Sequence, residues 1–381
     1  MYQSFYLPTK IISGWGSLQE LPGEALKWGG RALVVTDPGI RSAGLLEKVE
    51  AVLAAGGVAC TVYADVQANP TIQNAEDAAK LARESGAQLL IAVGGGSSID
   101  TAKSAAVLLN NGGSLADYVG FDRFANQPAP VIAIPTTAGT GSEVTLVAVM
   151  ADPASHRKFT VGSTRMMPKV ALLDAELTMG LPAMVTAYTG MDALTHAIES
   201  YTSITTQPLT DAVNLSTITS IFEHLPTAAL RGDNKQAREA MLYSSCMASM
   251  TCNSTFLGLV HAIASPVCAV CGAAHGMACA VLLPAVMDYN LPVAQKKYAK
   301  IALAIGAADR SESERDQAEK AIGAVRRLSE EIGIPRRLGQ IGVKEEQLDQ
   351  IAGAAWNYPQ ALSNCRRAAK ADVEALLRAI L

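Results

Sequence analysis

Short apolar runs alternate with amphipathic stretches through the first half of this chain, and the alternation stops near Pro182. "RALVVTDPGI", "CTVYADVQANP", "AQLLIAVGGG" and "APVIAIPTTAGTGSEV" each read as a strand that ends in a turn or a polar loop. Between them, "SAGLLEKVEAVLAAGG" and "TIQNAEDAAKLARESG" repeat apolar residues at helical spacing. Strands alternating with helices build a parallel α/β sheet. Beyond Pro182, "LTDAVNLSTITSIFEHLPTAAL", "ERDQAEKAIGAVRRLSEEIG" and "KADVEALLRAIL" read as helices, and β-branched runs fade. The 381 residues are too many for one core. A boundary between Leu181 and Ala183 therefore separates an α/β domain, residues 1–181, from an all-helical one, residues 182–381.

A formal charge of −4 with no basic run argues against nucleic acid or an anionic membrane as partner. The opening "MYQSFYLPTKIISGWG" lacks the basic-then-apolar pattern of a secretory leader. Seven scattered cysteines, an odd number, read as small hydrophobes in a reducing compartment, so a cytoplasmic protein is expected. Ala240 to Met287 holds no Lys, Arg, Asp or Glu. Asn253, Ser254, His261, Pro266, His275 and Pro284 interrupt it, so no apolar run reaches the roughly 18 residues of a spanning helix. Closely packed helices inside a soluble domain are expected there.

Two glycine-rich loops follow strands. In "VGGGSSIDTAK", Gly94, Gly95 and Gly96 precede a helix that begins near Ser97. Such a turn either closes tightly or lets backbone N–H groups and a helix dipole hold a phosphate. The spacing fits neither G-x-G-x-x-G nor a Walker loop, and Ser97 with Asp100 also reads as a capping box. "PTTAGTGSE" offers the hydroxyls of Thr136, Thr137, Thr140 and Ser142, or is a surface loop of turn formers. Two such loops on one sheet point to a ligand crevice at its carboxyl edge. Asp37, closing "ALVVTD", reads equally as a turn residue before Pro38 and as an acceptor for a ribose hydroxyl.

The helical half concentrates chemistry of another kind. In "GMDALTHAIE", Asp192 and His196 stand four residues apart and share a helix face. They read either as an acid near a helix start with a core histidine, or as half of a metal site. His261 and His275 lie in the charge-free region, where an imidazole without a partner is costly. One carboxylate and three imidazoles suit Fe²⁺ or Zn²⁺. His224, beside Glu223, reads as solvated, and Cys268 with Cys271 in "CAVC" reads as packing, since no second cysteine pair accompanies it.

Taken in order, "FYLPTKIISGWGSL", "ANPT", "GGGSSIDTAK", "PTTAGTGSEVT", "DAELT", "GMDALTHAIE" and "HGMACAVLLP" resemble the iron-containing, group III alcohol dehydrogenases over essentially the whole chain. The resemblance implies a Rossmann-like α/β nucleotide-binding domain followed by an all-helical metal domain, a dehydroquinate-synthase-like architecture, with the active site in the cleft between. It implies Asp192, His196, His261 and His275 as metal ligands. It implies NAD(H) contacts from Asp37, Asn69, Gly95, Gly96, Ser97, Asp100, Thr136, Thr137, Thr140, Ser142, Thr145 and Lys158. It also implies a homodimer or larger homo-oligomer.

Three departures from the family pattern bear on the substrate. A histidine usual four residues after the third ligand, assigned to proton transfer, is replaced by Ser265; a usual Phe is replaced by Cys252; "NPR" becomes "NCR", placing Cys365. These residues mark a pocket open to a longer or more polar aldehyde, with Ser265 at the catalytic position. The expected activity is NAD(H)- and Fe²⁺-dependent interconversion of a short, polar or anionic aldehyde and its primary alcohol. The rivals are a glycerol-dehydrogenase-like Zn²⁺ polyol enzyme, a dehydroquinate-synthase-like lyase and a silent metal-stabilised binding protein. The first two use three metal ligands.

Overall fold

The computed structural model describes residues 4–152 and 157–381; His156 lies outside them. Among the described residues the first half supplies nine strands: β1 (Lys10–Ser13), β2 (Arg31–Val35), β3 (Ala59–Tyr63), β4 (Leu89–Gly94), β5 (Gly120–Phe121), β6 (Val131–Pro135), β7 (Val147–Asp152), β8 (Arg157–Gly162) and β9 (Val170–Leu173). Six form a parallel sheet in the order β1-β9-β6-β4-β2-β3. Every residue of β4 is buried, as a central strand covered on both faces requires. Leu33, Val35, Leu90 and Ala92 point to one face, into a core shared with helices Ile72–Ser85 and Gly96–Asn111. Ala32, Val34, Ile91 and Val93 point to the other, against helix Leu45–Ala55. The period of two along each strand makes that division.

Sequence patterning did not separate out the small second sheet, in which β7 pairs antiparallel with β8 and β5 pairs parallel with β8. Its strands run through mixed polar and apolar residues, so the alternation there is weak.

The chain divides into two compact units, Leu7–Gly180 and Leu181–Leu381, with residues 4–6 belonging to the second. The second unit is helical. Its longer helices are Ala183–Thr202, Pro208–Leu230, Lys235–Thr255, Leu259–Cys271, His275–Ala304 and Glu314–Glu331. Helices Lys235–Thr255 and Leu259–Cys271 meet at 105°, with Phe256 at the corner in the left-handed region, φ 57°. A bulky residue adopts that conformation only where the surroundings hold it. Helix His275–Ala304 is long and apolar enough to cross a membrane, but it carries Pro284 and Pro292 within it and 56% of its most apolar window is buried. It packs as a core helix packs.

Candidate metal centre and cofactor loops

In the parallel sheet, β2 leads outward to β3, whereas β4 lies on the other side of β2. The order of the strands reverses there, and open α/β sheets bind ligands at such a reversal. The carboxyl ends of β2, β4 and β6 bring the glycine loop, Asp37 and the threonine loop together. Thr36 Oγ1 donates to Val93 O at 2.8 Å, and Thr136 N donates to Gly94 O at 3.0 Å. Gly94 turns at φ 146°, and a Cβ there would meet Ser98 Oγ at 2.5 Å, so only glycine fits. Gly95 caps helix Gly96–Asn111 without a side chain, which leaves the first backbone N–H groups of the helix without intrahelical partners.

The capping-box reading of Ser97 and Asp100 does not hold. Ser97 Oγ donates to Ala68 O at 2.7 Å, while Asp100 accepts from Ser142 Oγ and, at 2.9 Å, from Val149 N. Both residues tie the helix start to neighbouring loops. Asp37 is likewise engaged: Oδ1 accepts from Gly39 N and Ile40 N at 2.9 and 3.1 Å, and Oδ2 from Ser98 Oγ at 3.1 Å. Lys103, buried in the same helix, donates to Thr145 Oγ1 and to Ser142 O, both at 3.0 Å, and fixes the threonine loop from beneath. Thr137 and Thr140 face Gly95 and Gly96 across the loop. Asn69 is exposed beside Pro70, whose carbonyl accepts from Ala151 N at 2.7 Å, and Ala151 pairs with Lys158. Hydrogen bonds and close neighbours thus link most of the residues implied as cofactor contacts within the α/β unit.

In the helical unit, Asp192 and His196 lie one turn apart on helix Ala183–Thr202, His261 is in the first turn of Leu259–Cys271, and His275 opens His275–Ala304. Gly276 lets that last helix start against Tyr188: a Cβ there would meet Tyr188 O at 2.5 Å. Asp192 Oδ1 lies 3.6 Å from His261 Nε2 and 3.9 Å from His275 Nε2, too long for hydrogen bonds. His196 stacks on His261, ring centroids 4.6 Å apart. Asp192 and His261 are buried, whereas the His275 side chain is 35% exposed and opens the cluster on one side.

Asp192 Oδ1 and His261 Nε2 are buried without a hydrogen-bond partner. Glu199 Oε2 accepts from His261 Nδ1 at 2.6 Å, which assigns the proton of a neutral ring to Nδ1 and turns the Nε2 lone pair toward the Asp192 carboxylate. Two lone-pair donors facing each other in a buried site are costly unless a cation lies between them. The residues present therefore fit a divalent metal. Burial alone pushes the Asp192 carboxyl up, but with the surrounding imidazoles protonated in the metal-free chain the charges of His196, His275 and His261 outweigh it and hold the group well below the usual carboxylate range, a role a bound cation would take over.

Two residues of this cluster carried no assignment from the sequence. Glu199 also accepts from Gly258 N at 2.9 Å and Val260 N at 2.6 Å. Its signal was in the quoted motif: it lies three residues after His196 and seven after Asp192, on the same face. Cys279, four residues after His275, places Sγ 3.6 Å from His275 Nε2. Cys268, read as packing, does lie in the core, yet its sulfur is also 4.0 Å from His275 Nδ1. His224 is half-buried rather than fully solvated.

The residues at the three departures surround the same helices. Ser265 follows His261 by one turn and is half-buried. Cys252 Sγ donates to Ala248 O at 3.2 Å and lies 3.9 Å from His196 O; burial pushes this thiol up to about 12. Cys365, also half-buried, follows Asn364, whose Oδ1 accepts from Leu259 N at 3.3 Å at the start of the helix that carries His261.

Residues 8–175 match the description of the iron-containing alcohol dehydrogenases, and residues 186–381 match the C-terminal part of the same family. The chain belongs to the iron-containing alcohol dehydrogenase family. It is 38% identical to a sulfoacetaldehyde reductase of Bilophila wadsworthia, over 98% of each chain. Among solved structures it is similar to a 1,3-propanediol oxidoreductase, with TM-score 0.98, 37% identity and full coverage of both chains. It is also similar to a sulfoacetaldehyde reductase from Bifidobacterium kashiwanohense in complex with NAD+, with TM-score 0.91, 28% identity, and 100% and 99% coverage. This family member is an oxidoreductase acting between alcohols and aldehydes, with a metal and NAD(H) as its cofactors.

Proposed function

We propose that the chain reduces a short, polar or anionic aldehyde to its primary alcohol with NADH, using Fe²⁺ held by Asp192, His196, His261 and His275. The observation that carries this reading is the buried, unpartnered pair of Asp192 Oδ1 and His261 Nε2 beside His275. When bound, the divalent ion supplies Lewis acidity at the aldehyde oxygen and the nicotinamide supplies the hydride. Residues 1–181 would serve as the nucleotide-binding domain and residues 182–381 as the metal and substrate domain.

The chain's own groups have separable tasks. Gly95, Gly96 and Ser97 present backbone N–H groups at a helix start, suited to a pyrophosphate. Thr136, Thr137, Thr140, Ser142 and Thr145 border that position, held by Asp100 and Lys103. Asp37 retains lone pairs for a ribose hydroxyl. Asn69 and Lys158 close the same surface. Glu199 holds His261 in the tautomer that leaves Nε2 free. Ser265 and Cys252 are small where the family carries rings, which leaves room for a charged head group, and Cys365 lines the same pocket. A serine hydroxyl has a poor pKa for general acid work, so Ser265 would at most relay a proton.

The seven free cysteines agree with a reducing, cytoplasmic setting. The homo-oligomer implied by the sequence motifs is carried here as part of the proposal and is read by sedimentation. The deciding experiment is NADH oxidation with sulfoacetaldehyde, 3-hydroxypropanal and propanal, with Fe²⁺ added and then chelated. The expected result is metal-dependent turnover with higher kcat/KM for the polar aldehydes. Equal turnover after complete chelation would overturn the reading.

A further inference from the structure

We propose that Glu143 belongs to the cofactor site as its proton acceptor, so that binding of the dinucleotide diphosphate draws a proton from solvent onto this carboxylate. This rests on the cofactor reading above and adds a residue to it. Glu143 lies inside the loop that carries Thr136, Thr137, Thr140, Ser142 and Thr145, in the short helical segment Ser142–Val144. That loop meets the glycine turn directly: a Cβ at Gly96 would lie 2.9 Å from Thr140 Oγ1, and one at Gly95 would lie 3.4 Å from Thr137 Oγ1. Gly95 and Gly96 open the helix whose first N–H groups suit a pyrophosphate.

The surroundings of this carboxylate allow it to change charge. It is buried, and neither oxygen has a hydrogen-bond partner. An ionised carboxylate in that setting is costly and takes a proton readily. Lys103 is the cation that acts on it, yet its ammonium protons go elsewhere: to Ser142 O and Thr145 Oγ1, both at 3.0 Å, and to Val147 O. An ammonium has only three donors, so Glu143 feels the charge of Lys103 without receiving a bond from it. The helix of Lys103 also presents Asp100, 3.2 Å from the ammonium. The other elements packed most closely on the segment, β6 and β9, carry no titratable side chain, and Asp174 just beyond β9 accepts from Gly16 N and Leu18 N. Burial outweighs Lys103 and pushes the Glu143 carboxyl up to about 7, so near neutral pH the group is divided between its two forms. A diphosphate at the helix start adds negative charge beside the same loop and tips the balance toward the acid form. By linkage, the proton favours the cofactor as much as the cofactor favours the proton.

The test is calorimetric titration of the full chain with NADH, and with ADP-ribose, which carries the same diphosphate and no nicotinamide. Each titration is run at pH 7.5 in buffers of different ionisation enthalpy, which reads the protons exchanged on binding. A shift of about one unit on binding corresponds to uptake of about half a proton at this pH. That uptake is expected to vanish at pH 5.5, where Glu143 already holds its proton, and in Glu143→Gln, which keeps the shape and cannot ionise. Wild-type affinity should fall by about tenfold between pH 6 and pH 9, while that of the variant stays level. The wild-type comparison at the two pH values needs no variant to fold. Binding without proton uptake at pH 7.5, uptake unchanged at pH 5.5, or uptake that survives in Glu143→Gln overturns the Glu143 assignment while leaving the cofactor reading standing. A chain that binds neither NADH nor ADP-ribose overturns both.

Discussion

Asp192 in the helical unit and Glu143 in the α/β unit are both buried, with 2% and 1% exposure, and both have oxygens without hydrogen-bond partners. Their charge states differ. Imidazolium charge around Asp192 keeps it ionised in the metal-free chain, whereas burial pushes Glu143 up to about 7 against the opposing pull of a backbone N–H and of Lys103. Burial therefore does not decide the charge of a carboxylate; its neighbours do. In the helical unit the neighbours are donors that need a cation. In the α/β unit they are loops already satisfied by one another, and a proton suffices. The contrast separates a site that depends on an added ion from a scaffold that stands without one.

The largest effect expected from this contrast is loss of metal. Asp192→Ala and His275→Ala should each lower metal content per chain and cut kcat by more than about a hundredfold, exceeding the loss typical of supporting residues. Elemental analysis of the purified variants decides this, and full occupancy in both would remove the basis of the comparison.

Glu143 tests the opposite pole. Burial pushes the Glu143 carboxyl from its ordinary 4.5 up to about 7, so the folded chain binds the proton more tightly than the unfolded one. The contribution of this group to stability is fully present below about pH 4.5, falls by about 3 kcal/mol as pH rises to about 7, and levels off above. Glu143→Gln keeps the shape and cannot ionise. Urea unfolding at pH 5 and pH 8 should show wild type losing stability relative to the variant. Parallel pH profiles would show that Glu143 stays charged in the folded chain.

A middle-sized effect is expected from Glu199, which belongs to the helical unit but touches no proposed ion. Glu199→Gln should weaken metal affinity by about 10–100-fold, since the amide no longer accepts a charge-assisted bond from His261 Nδ1. Gly258 N and Val260 N donate to different oxygens of Glu199, so the amide oxygen keeps one of them and the amide nitrogen faces the other; thermal stability is therefore measured beside metal affinity. Titration with a competing chelator measures the latter. An unchanged metal affinity would mean that Glu199 serves only to hold the helix start.

The same two regions differ in how much of them the sequence discloses. Strand period and glycine turns placed the parallel sheet and the loops at its carboxyl edge, because a buried parallel strand such as β4 is a continuous apolar run that local pattern detects. What the loops do with their side chains was not legible: Ser97 and Asp100 have capping-box spacing yet bond to Ala68, Ser142 and Val149, partners remote in sequence. In the helical unit the reverse held. Asp192, His261 and His275 stood out as polar residues in apolar surroundings, and they do converge. Glu199 and Cys279 did not stand out, although they occupy the same helix faces. A glutamate on a helix usually faces water and a cysteine among alanines usually fills space, so neither type signals a site until the fold assembles it.

The smallest effect is expected at Asp37, where the two kinds of region overlap in one side chain. Its carboxylate caps the turn at Gly39 and Ile40, binds Ser98, and in the proposed function also accepts from a ribose hydroxyl. A single substitution therefore confounds scaffold and specificity. Asp37→Ser keeps an oxygen that accepts from the same backbone N–H groups, since serine caps about as well as aspartate. It removes the charge that would repel a 2′-phosphate. The ratio of kcat/KM for NADH to that for NADPH should fall by about tenfold, about 1.4 kcal/mol, with thermal stability nearly unchanged. Asp37→Gly should lower the same ratio and cost a few tenths of a kcal/mol in capping as well. If the serine variant keeps the wild-type cofactor ratio while the glycine variant only loses stability, Asp37 belongs wholly to the scaffold, and the α/β unit must choose its cofactor with another group.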